Sequence, residues 1–294
     1  MNAEFDSQPA AFDELAADYD DAFTERAVGR LLRAAVWRRL DANFRPGDYV
    51  LELNCGTGAD AVYLAQRGVR VLATDISAAM LDATRAKVMR TGVSDLVSVA
   101  RLDIEQLAAP QSPAQGARVD IEQLAAPQSP AQGAHADLAP AAPAFDGALS
   151  NFGGLNCVAD LTGVGRALAA WLRPGAHALL CVMGPLTPWE WAWYARRGQM
   201  NKAFRRLRRA GVAWRGLTIR YPSIRALRQA LAPAFALARV NAIGALLPPS
   251  YAEPWAAQHP RALAWLDRAE RRLEAVWPLP WLADHYLAEF VRVG

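Results

Sequence analysis

From residue 49 to residue 102 the sequence alternates short apolar runs with helical patterns, and this alternation constrains the fold more than any other feature. YVLEL (49–53) reads as a buried strand, ADAVYLAQRG (59–68) as a helix closed by Gly68, and VRVLATD (69–75) as the next strand. SAAMLDATRAKVMRTG (77–92) follows as a helix stopped by Gly92, and LVSVARL (96–102) as a third strand. Such alternation predicts an α/β fold, a doubly wound, mostly parallel sheet with helices on both faces. It resumes with strands at FDGALS (145–150) and HALLCVM (177–183) around the helix ADLTGVGRALAAWL, and then with SIRALRQALA (helix) and FALARVNAI (strand). PRALAWLDRAERRLEAV (helix) and HYLAEFVRV (strand) complete seven strands. Ahead of them, residues 24–40 carry Val28, Leu31, Leu32, Ala35, Val36 and Leu40 on one helical stripe.

One stretch breaks the pattern. RLDIEQLAAPQSPAQGA (101–117) is followed at once by RVDIEQLAAPQSPAQGA (118–134), the copies differing only at Leu102 and Val119. Near-perfect tandem identity fits a duplication rather than a repeat architecture, which needs more units. Rich in Ala, Pro, Gln and Gly, residues 108–143 have little to bury and are expected to form a long, mobile surface loop.

Composition limits the function classes. The net charge of +3 is too small to imply a polyanionic partner, and no nucleic acid is expected. Three cysteines, Cys55, Cys157 and Cys181, lack CxxC spacing or an accompanying His cluster, so neither a disulfide framework nor a metal site is expected. The acidic start MNAEFDSQPAAFDELAADYD has no signal-peptide pattern, and no apolar run reaches membrane-span length. The expectation is a cytoplasmic protein, at most peripheral at a membrane.

The chemistry concentrates in LELNCGTGAD (51–60). Glycines after a strand let backbone N–H groups approach a ligand, and the helix start beyond them is partially positive. GTGADA (56–61) even matches the dinucleotide pattern G-x-G-x-x-A. Glu52 argues against that reading, because a carboxylate at the strand end would repel a pyrophosphate but accept from an amine. Asn54 stands where many such loops have a further glycine, and Asn tolerates positive φ better than most residues. Asp75, 23 positions after Glu52, ends the second strand, where it suits either a ribose or a helix N-cap.

VLELNCGTG, with VLATDIS after it, resembles the first two motifs of class I S-adenosylmethionine-dependent methyltransferases. The resemblance covers residues 12–184 well and 217–294 only in general layout. It implies a Rossmann-like seven-stranded sheet with the last strand antiparallel, S-adenosyl-L-methionine as cofactor, and a small-molecule methyl acceptor. In that family the acid before the loop lies near the methionine ammonium, which Glu52 matches, and the loop passes under methionine and ribose, which Gly56 and Gly58 match, with Asn54 departing from the usual first glycine. The acid ending the second strand takes the ribose hydroxyls, implying that role for Asp75, with Ile76 beside it. Asp103 and Ile104 match the positions at the adenine; the duplication offers Asp120 and Ile121 as rivals, but Asp103 is the one continuous with its strand.

FDGALSNFGGLNCV (145–158) resembles the family's fourth motif, which brings Ser150, Asn151 and Phe152 near the methyl group or acceptor, with Asn156 further along. Ordinary capping in a Gly-rich turn is the alternative there. FDELAADYDDAF (12–23) resembles the opening of small-molecule methyltransferases, including those of ubiquinone and menaquinone biosynthesis, where a tyrosine matching Tyr19 closes over the cofactor. The alternative is a surface aromatic.

The chain therefore divides into an N-terminal helical lid (1–45), a cofactor-binding core (46–184), a cap insertion (185–216) and the C-terminal part of the sheet (217–294). In the cap, Trp189 and Trp193 are candidate acceptor contacts. Met200, Ala203, Phe204, Leu207 and Ala210 form an apolar stripe ringed by basic residues. A packed cap helix, an anionic substrate or peripheral membrane contact through 189–215 would each suit that pattern. Methyl transfer from a sulfonium is an in-line displacement that asks mainly for alignment and exclusion of water. A base is needed only for some acceptors; Asn151 and His285 are the catalytic candidates, with His177 and Glu289 qualifying by residue type alone. Three readings are carried forward: methylation of a small apolar or aromatic metabolite; methylation of a quinone-like or anionic lipid at a membrane surface; and a non-catalytic S-adenosylmethionine-binding regulator or NAD-dependent oxidoreductase.

Overall fold

The computed structural model of the chain describes residues 7–105 and 144–294. The loop expected over 108–143, with Asp120 and Ile121, lies outside the described residues.

Helices α1 (Ser7–Ala16) and α2 (Ala27–Asn43) flank a π-helical turn, Asp20–Thr24. The first strand–helix series is β1 (Tyr49–Leu53), α3 (Ala59–Ala65), β2 (Arg70–Asp75), α4 (Ala78–Thr91) and β3 (Val97–Arg101). The second is β4 (Phe145–Ser150), α5 (Leu161–Trp171) and β5 (Leu172–Met183). A cap follows, with α6 (Pro188–Ala195), α7 (Met200–Ala203) and a small hairpin of β6 (Val212–Trp214) and β7 (Leu217–Ile219). Then come α8 (Ile224–Leu231), β8 (Phe235–Ile243), α9 (Glu253–Gln258), α10 (Pro260–Leu273) and β9 (His285–Arg292).

The seven-stranded sheet runs β3-β2-β1-β4-β5-β9-β8. Its first five strands are mutually parallel, and β9 inserts antiparallel between β5 and β8. Alternate side chains of each strand feed separate apolar layers. Val50, Ala73, Leu149 and Cys181 pack with α2, α3 and α4, while Leu51, Leu53, Ala148 and Leu180 pack with α5 and α8. With both faces covered, the strands read as continuous apolar runs. Among the described residues no helix is long and apolar enough to cross a membrane.

Helix α2 begins at Ala27, one residue ahead of its apolar stripe, and its cap comes from far along the chain. The carboxylate of Glu253 accepts from the backbone N–H groups of Ala27 and Val28 at 2.8 and 3.2 Å, a cap supplied from 226 and 225 residues away.

The cap departs further from expectation. Residues 200–210 form not one amphipathic helix but the single turn α7, a 3₁₀ turn at Arg205–Leu207, and the hairpin beyond, which turns on Arg215 and Gly216 at positive φ. Three of the expected stripe's large residues face outward, Met200, Phe204 and Leu207 being 52%, 41% and 48% exposed, while Ala203 is buried. Arg206, expected on the solvated face, is buried instead. Its guanidinium joins the buried Glu190 at 2.7 Å and the half-buried Asp284 at 2.5 Å, offsetting the cost of withdrawing these charges from water.

Candidate active site

The loop between β1 and α3 starts the site. Asn54 adopts φ 50°, Gly56 φ 56° and Gly58 φ 74°. The two glycines serve different ends. A side chain at Gly56 would meet nothing within 4 Å and would project into open space, whereas one at Gly58 would strike Thr84 of α4 at 2.6 Å. Thr84 also donates its hydroxyl to the carbonyl of Gly56 at 2.8 Å, which fixes the loop on α4. Asn54 uses its side chain as well as its φ. It donates Nδ2–H to the carbonyl of Asn151 at 2.9 Å and accepts at Oδ1 from the Ser150 hydroxyl at 2.6 Å. Gly154 leaves the space that this side chain fills, since a Cβ there would lie 2.1 Å from Asn54.

Asp75, at the end of β2, faces the same loop. One of its oxygens accepts from the N–H of Gly56 at 2.9 Å and the other from the N–H of Ser77 at 3.0 Å. Burial pushes its carboxyl up and these backbone bonds oppose that rise. Each oxygen keeps a lone pair for a further donor. Glu52 is buried more deeply, 1% exposed, and its Oε2 has no hydrogen-bond partner. Burial, and next the nearby Asp60, hold its carboxyl well above the usual range.

A cleft holding about 880 Å³ of space, its open mouth included, runs along the tips of these strands. Tyr19, Asn54, Gly56, Asp75 and Ile76 line it, as do Asp103 and Ile104 beyond β3 and Asn151 and Phe152 beyond β4. Three candidates stand just behind these residues. Glu52 lies under the loop, Gly58 packs on α4, and Ser150 holds Asn54.

Sequence reasoning missed a polar cluster at the floor of the cleft. Asp60 of α3 accepts from Arg33 at 2.7 Å, from Asn151 Nδ2–H at 2.8 Å and from Trp37 Nε1–H at 2.6 Å. The Arg33 guanidinium lies 5.0 Å from the centre of the Phe152 ring. Arg33 and Asp60 are both nearly fully buried, and the sole sequence sign was an Arg on the otherwise apolar stripe of α2.

The N-terminal segment roofs the cleft. Asp20 accepts from the Thr57 hydroxyl at 2.7 Å and pairs with Lys87 at 2.7 Å. Phe23 meets Phe152 edge-on at 5.1 Å, and Asp13 of α1 accepts from the Ser77 hydroxyl at the start of α4. Phe12 also lines the cleft and contacts Trp214 of the hairpin at 5.9 Å.

Other candidates sit elsewhere. Asn156 is fully buried and bonded to backbone, donating to the carbonyls of Met183 and Arg220 and accepting from Met183 N–H. Trp193 packs on Tyr251 at 5.3 Å, and neither it nor Trp189 is among the cleft-lining residues. His285 is buried behind Phe152, its ring edge-on at 5.4 Å, with Nδ1 3.1 Å from Asp284. Glu289 binds Arg39 at 2.5 Å and Asn241 at 2.7 Å. His177 pairs in register with Gly147, toward the far end of β4.

Residues 50–119 match the sequence profile of a methyltransferase domain. Over 115 residues the chain is 30% identical to demethylmenaquinone methyltransferase of Symbiobacterium thermophilum, a stretch that takes in 36% of this chain and 43% of that one. The chain thus spans under half the length of that curated relative. Its fold is similar to that of an S-adenosylmethionine-dependent methyltransferase from Mesorhizobium loti, with TM-score 0.50 and 18% identity over 87% of this chain and 97% of that one. It is similar too to geranyl diphosphate C-methyltransferase from Streptomyces coelicolor, with TM-score 0.51 and 14% identity over 89% of this chain and 79% of that one. The fold is the Rossmann-like sheet of class I methyltransferases.

Proposed function

We propose that this protein transfers a methyl group from S-adenosylmethionine to a small, largely apolar or aromatic acceptor. The observation that carries the reading is that Asp75 and Asp103 line one cleft, with the buried Glu52 of the neighbouring strand just behind it, over a loop left bare at Gly56. The cofactor suits these residues. A buried carboxylate oxygen without a donor, as in Glu52, is costly, and an ammonium group would satisfy it. Asp75 would take the ribose hydroxyls through its remaining lone pairs, and Asp103 with Ile104 the adenine edge. When bound, S-adenosylmethionine supplies an activated methyl group on a sulfonium sulfur.

The chain's own part is alignment and exclusion of water. Asn151, locked by Asp60 and Asn54, and Phe152, at φ 47°, would form the acceptor wall. Tyr19, Phe12 and the Asp20 contact would close the roof. The mostly apolar lining around Phe12, Met80 and Phe152 favours an aromatic or quinone-like acceptor, and the likeness to a demethylmenaquinone methyltransferase supports the same class.

Calorimetric titration with S-adenosylmethionine, S-adenosylhomocysteine and NAD in parallel tests this. Binding of the first two, lost in Asp75→Ala, is the expected result, followed by methylation of a quinol or phenol panel. Binding of NAD alone would overturn the reading. Cofactor binding without turnover on any acceptor would reduce the protein to a cofactor-binding regulator.

A further inference from the structure

Helix α10 sorts its charges by face. Its inward acids are engaged: Glu270 accepts from the N–H groups of Gly244, Leu246 and Leu247 at 2.6, 2.8 and 3.0 Å, and Asp267 pairs with Arg271 at 2.7 Å. Just past the helix, Glu274 pairs with Arg38 at 2.9 Å. Leu263 and Leu266 anchor the helix to the core. The opposite face carries Arg261, Arg268 and Arg272, all exposed, and among the described residues none of them has an acid within ion-pair distance.

The same face carries large apolar groups. Trp265 is 62% exposed and shares a shallow groove with Arg268, Ala269, Arg272 and Leu273. In the turns that continue from the helix, Val276, Trp277 and Trp281 are 50%, 75% and 42% exposed. These turns lead to His285, which lies in register with Met183 and Ile243. Those residues end β5 and β8, so the turns run to the sheet edge on which the cleft also opens.

We infer that this face docks on an anionic phospholipid surface. Indole rings favour the boundary between headgroups and acyl chains, where their apolar body and N–H are both accommodated. Leu273 and Val276 would be withdrawn from water there, and the three arginines meet lipid phosphate while every neighbouring acid is turned away. A nucleic acid would leave Leu273 and Val276 in water. The cap surface at 189–215 is a poorer match, because Trp191, Trp193 and Tyr194 are already packed on Phe204 and Tyr251. The inference stands independently of the methyl-transfer reading.

Sedimentation of the full chain with vesicles tests it. The chain should pellet with equimolar phosphatidylglycerol–phosphatidylcholine vesicles, less so as salt is raised, and stay in solution with phosphatidylcholine alone. The double variant Arg268→Gln/Arg272→Gln should lower the partition coefficient by roughly tenfold or more. Trp265→Ser/Trp277→Ser should abolish pelleting, while Met200→Ser/Phe204→Ser in the cap should leave it unchanged. All these side chains are exposed, and matching melting temperatures would verify that the variants fold. Failure to pellet with anionic vesicles, or pelleting indifferent to the α10 variants, would overturn the inference. So would a solution dimer that Trp265→Ser dissociates, which would make the face a protein interface.

Discussion

Ser150 donates its hydroxyl to the side-chain carbonyl of Asn54 at 2.6 Å, tying the tip of β4 to the loop after β1. Asn54 thus does what a glycine at its position could not. It takes the left-handed conformation and also clamps Asn151 through the backbone carbonyl at 2.9 Å. Replacing it with glycine relieves the φ of 50° but strands the buried Ser150 hydroxyl. The relief is about 1 kcal/mol and each stranded group costs about 1–3 kcal/mol. Urea unfolding should therefore rank wild type above Asn54→Gly, destabilised by about 1 kcal/mol, and that above Asn54→Ala, by about 2–3 kcal/mol. An Asn54→Gly variant about 1 kcal/mol more stable than wild type would show that the clamp contributes nothing.

Glu52 makes the ligand-free protein sensitive to pH. Burial and the neighbouring Asp60 raise its carboxyl well above 4.5, so the folded state holds a proton that the unfolded chain releases. Stability from this group is complete below the unfolded value and declines as pH rises through the interval up to the folded one. Glu52→Gln should remove that decline. The ligand-free variant should melt higher than wild type at neutral and mildly alkaline pH, with the difference shrinking toward pH 4, while cofactor binding weakens. A melting difference that does not change with pH would contradict the assignment.

Much of this architecture was legible because it depends on local pattern. Every strand of the main sheet and nearly every major helix follows from apolar periodicity and from stops such as Gly68 and Gly92. The loop residues were legible too, since their spacing is set by one tight turn. What escaped is what long-range partners decide. The start of α2 is capped by Glu253, and nothing near Ala27 announces that partner. The cap's apolar stripe predicted a helix, but Glu190 and Asp284 draw Arg206 inward and break it. Asn156 looks like a site residue in its Gly-rich turn, yet backbone groups at Met183 and Arg220 occupy it. Asp60 passed for an ordinary acid at a helix start until the fold brought Arg33, Trp37 and Asn151 around it.

Arg206 should be among the most sensitive positions for stability. Arg206→Ala leaves Asp284 without its guanidinium and Glu190 with Arg205 alone, and breaking a buried pair costs about 3–5 kcal/mol. Burial alone would raise Asp284, but Arg206 and then His285 hold its carboxyl far below 3.8. That depression contributes stability above the unfolded value, and the contribution is lost as pH falls toward the folded one. The gap between wild type and Arg206→Ala in urea unfolding should therefore be widest near pH 7 and narrow steadily below pH 4. An equal gap at both ends would locate the loss in packing rather than charge.

Lys87 offers a way to loosen the roof without touching the cleft. Its ammonium lies 2.7 Å from Asp20 and donates to the Thr57 hydroxyl at 3.0 Å, so one cation joins α4, the loop and the π-helical turn that carries Phe23 toward Phe152. Asp20 is partly solvated, so the pair contributes about 1 kcal/mol or less to global stability. The effect on local opening is larger in proportion, because few other polar contacts hold that turn. Lys87→Met should leave the melting temperature within a few degrees of wild type while amides of residues 20–26 exchange faster. Cofactor affinity should fall about tenfold, equivalent to about 1.4 kcal/mol, mainly through faster dissociation. If exchange and dissociation both stay at wild-type rates, the contacts left in place, Phe23–Phe152 and the Thr57–Asp20 hydrogen bond among them, hold the roof without the cation.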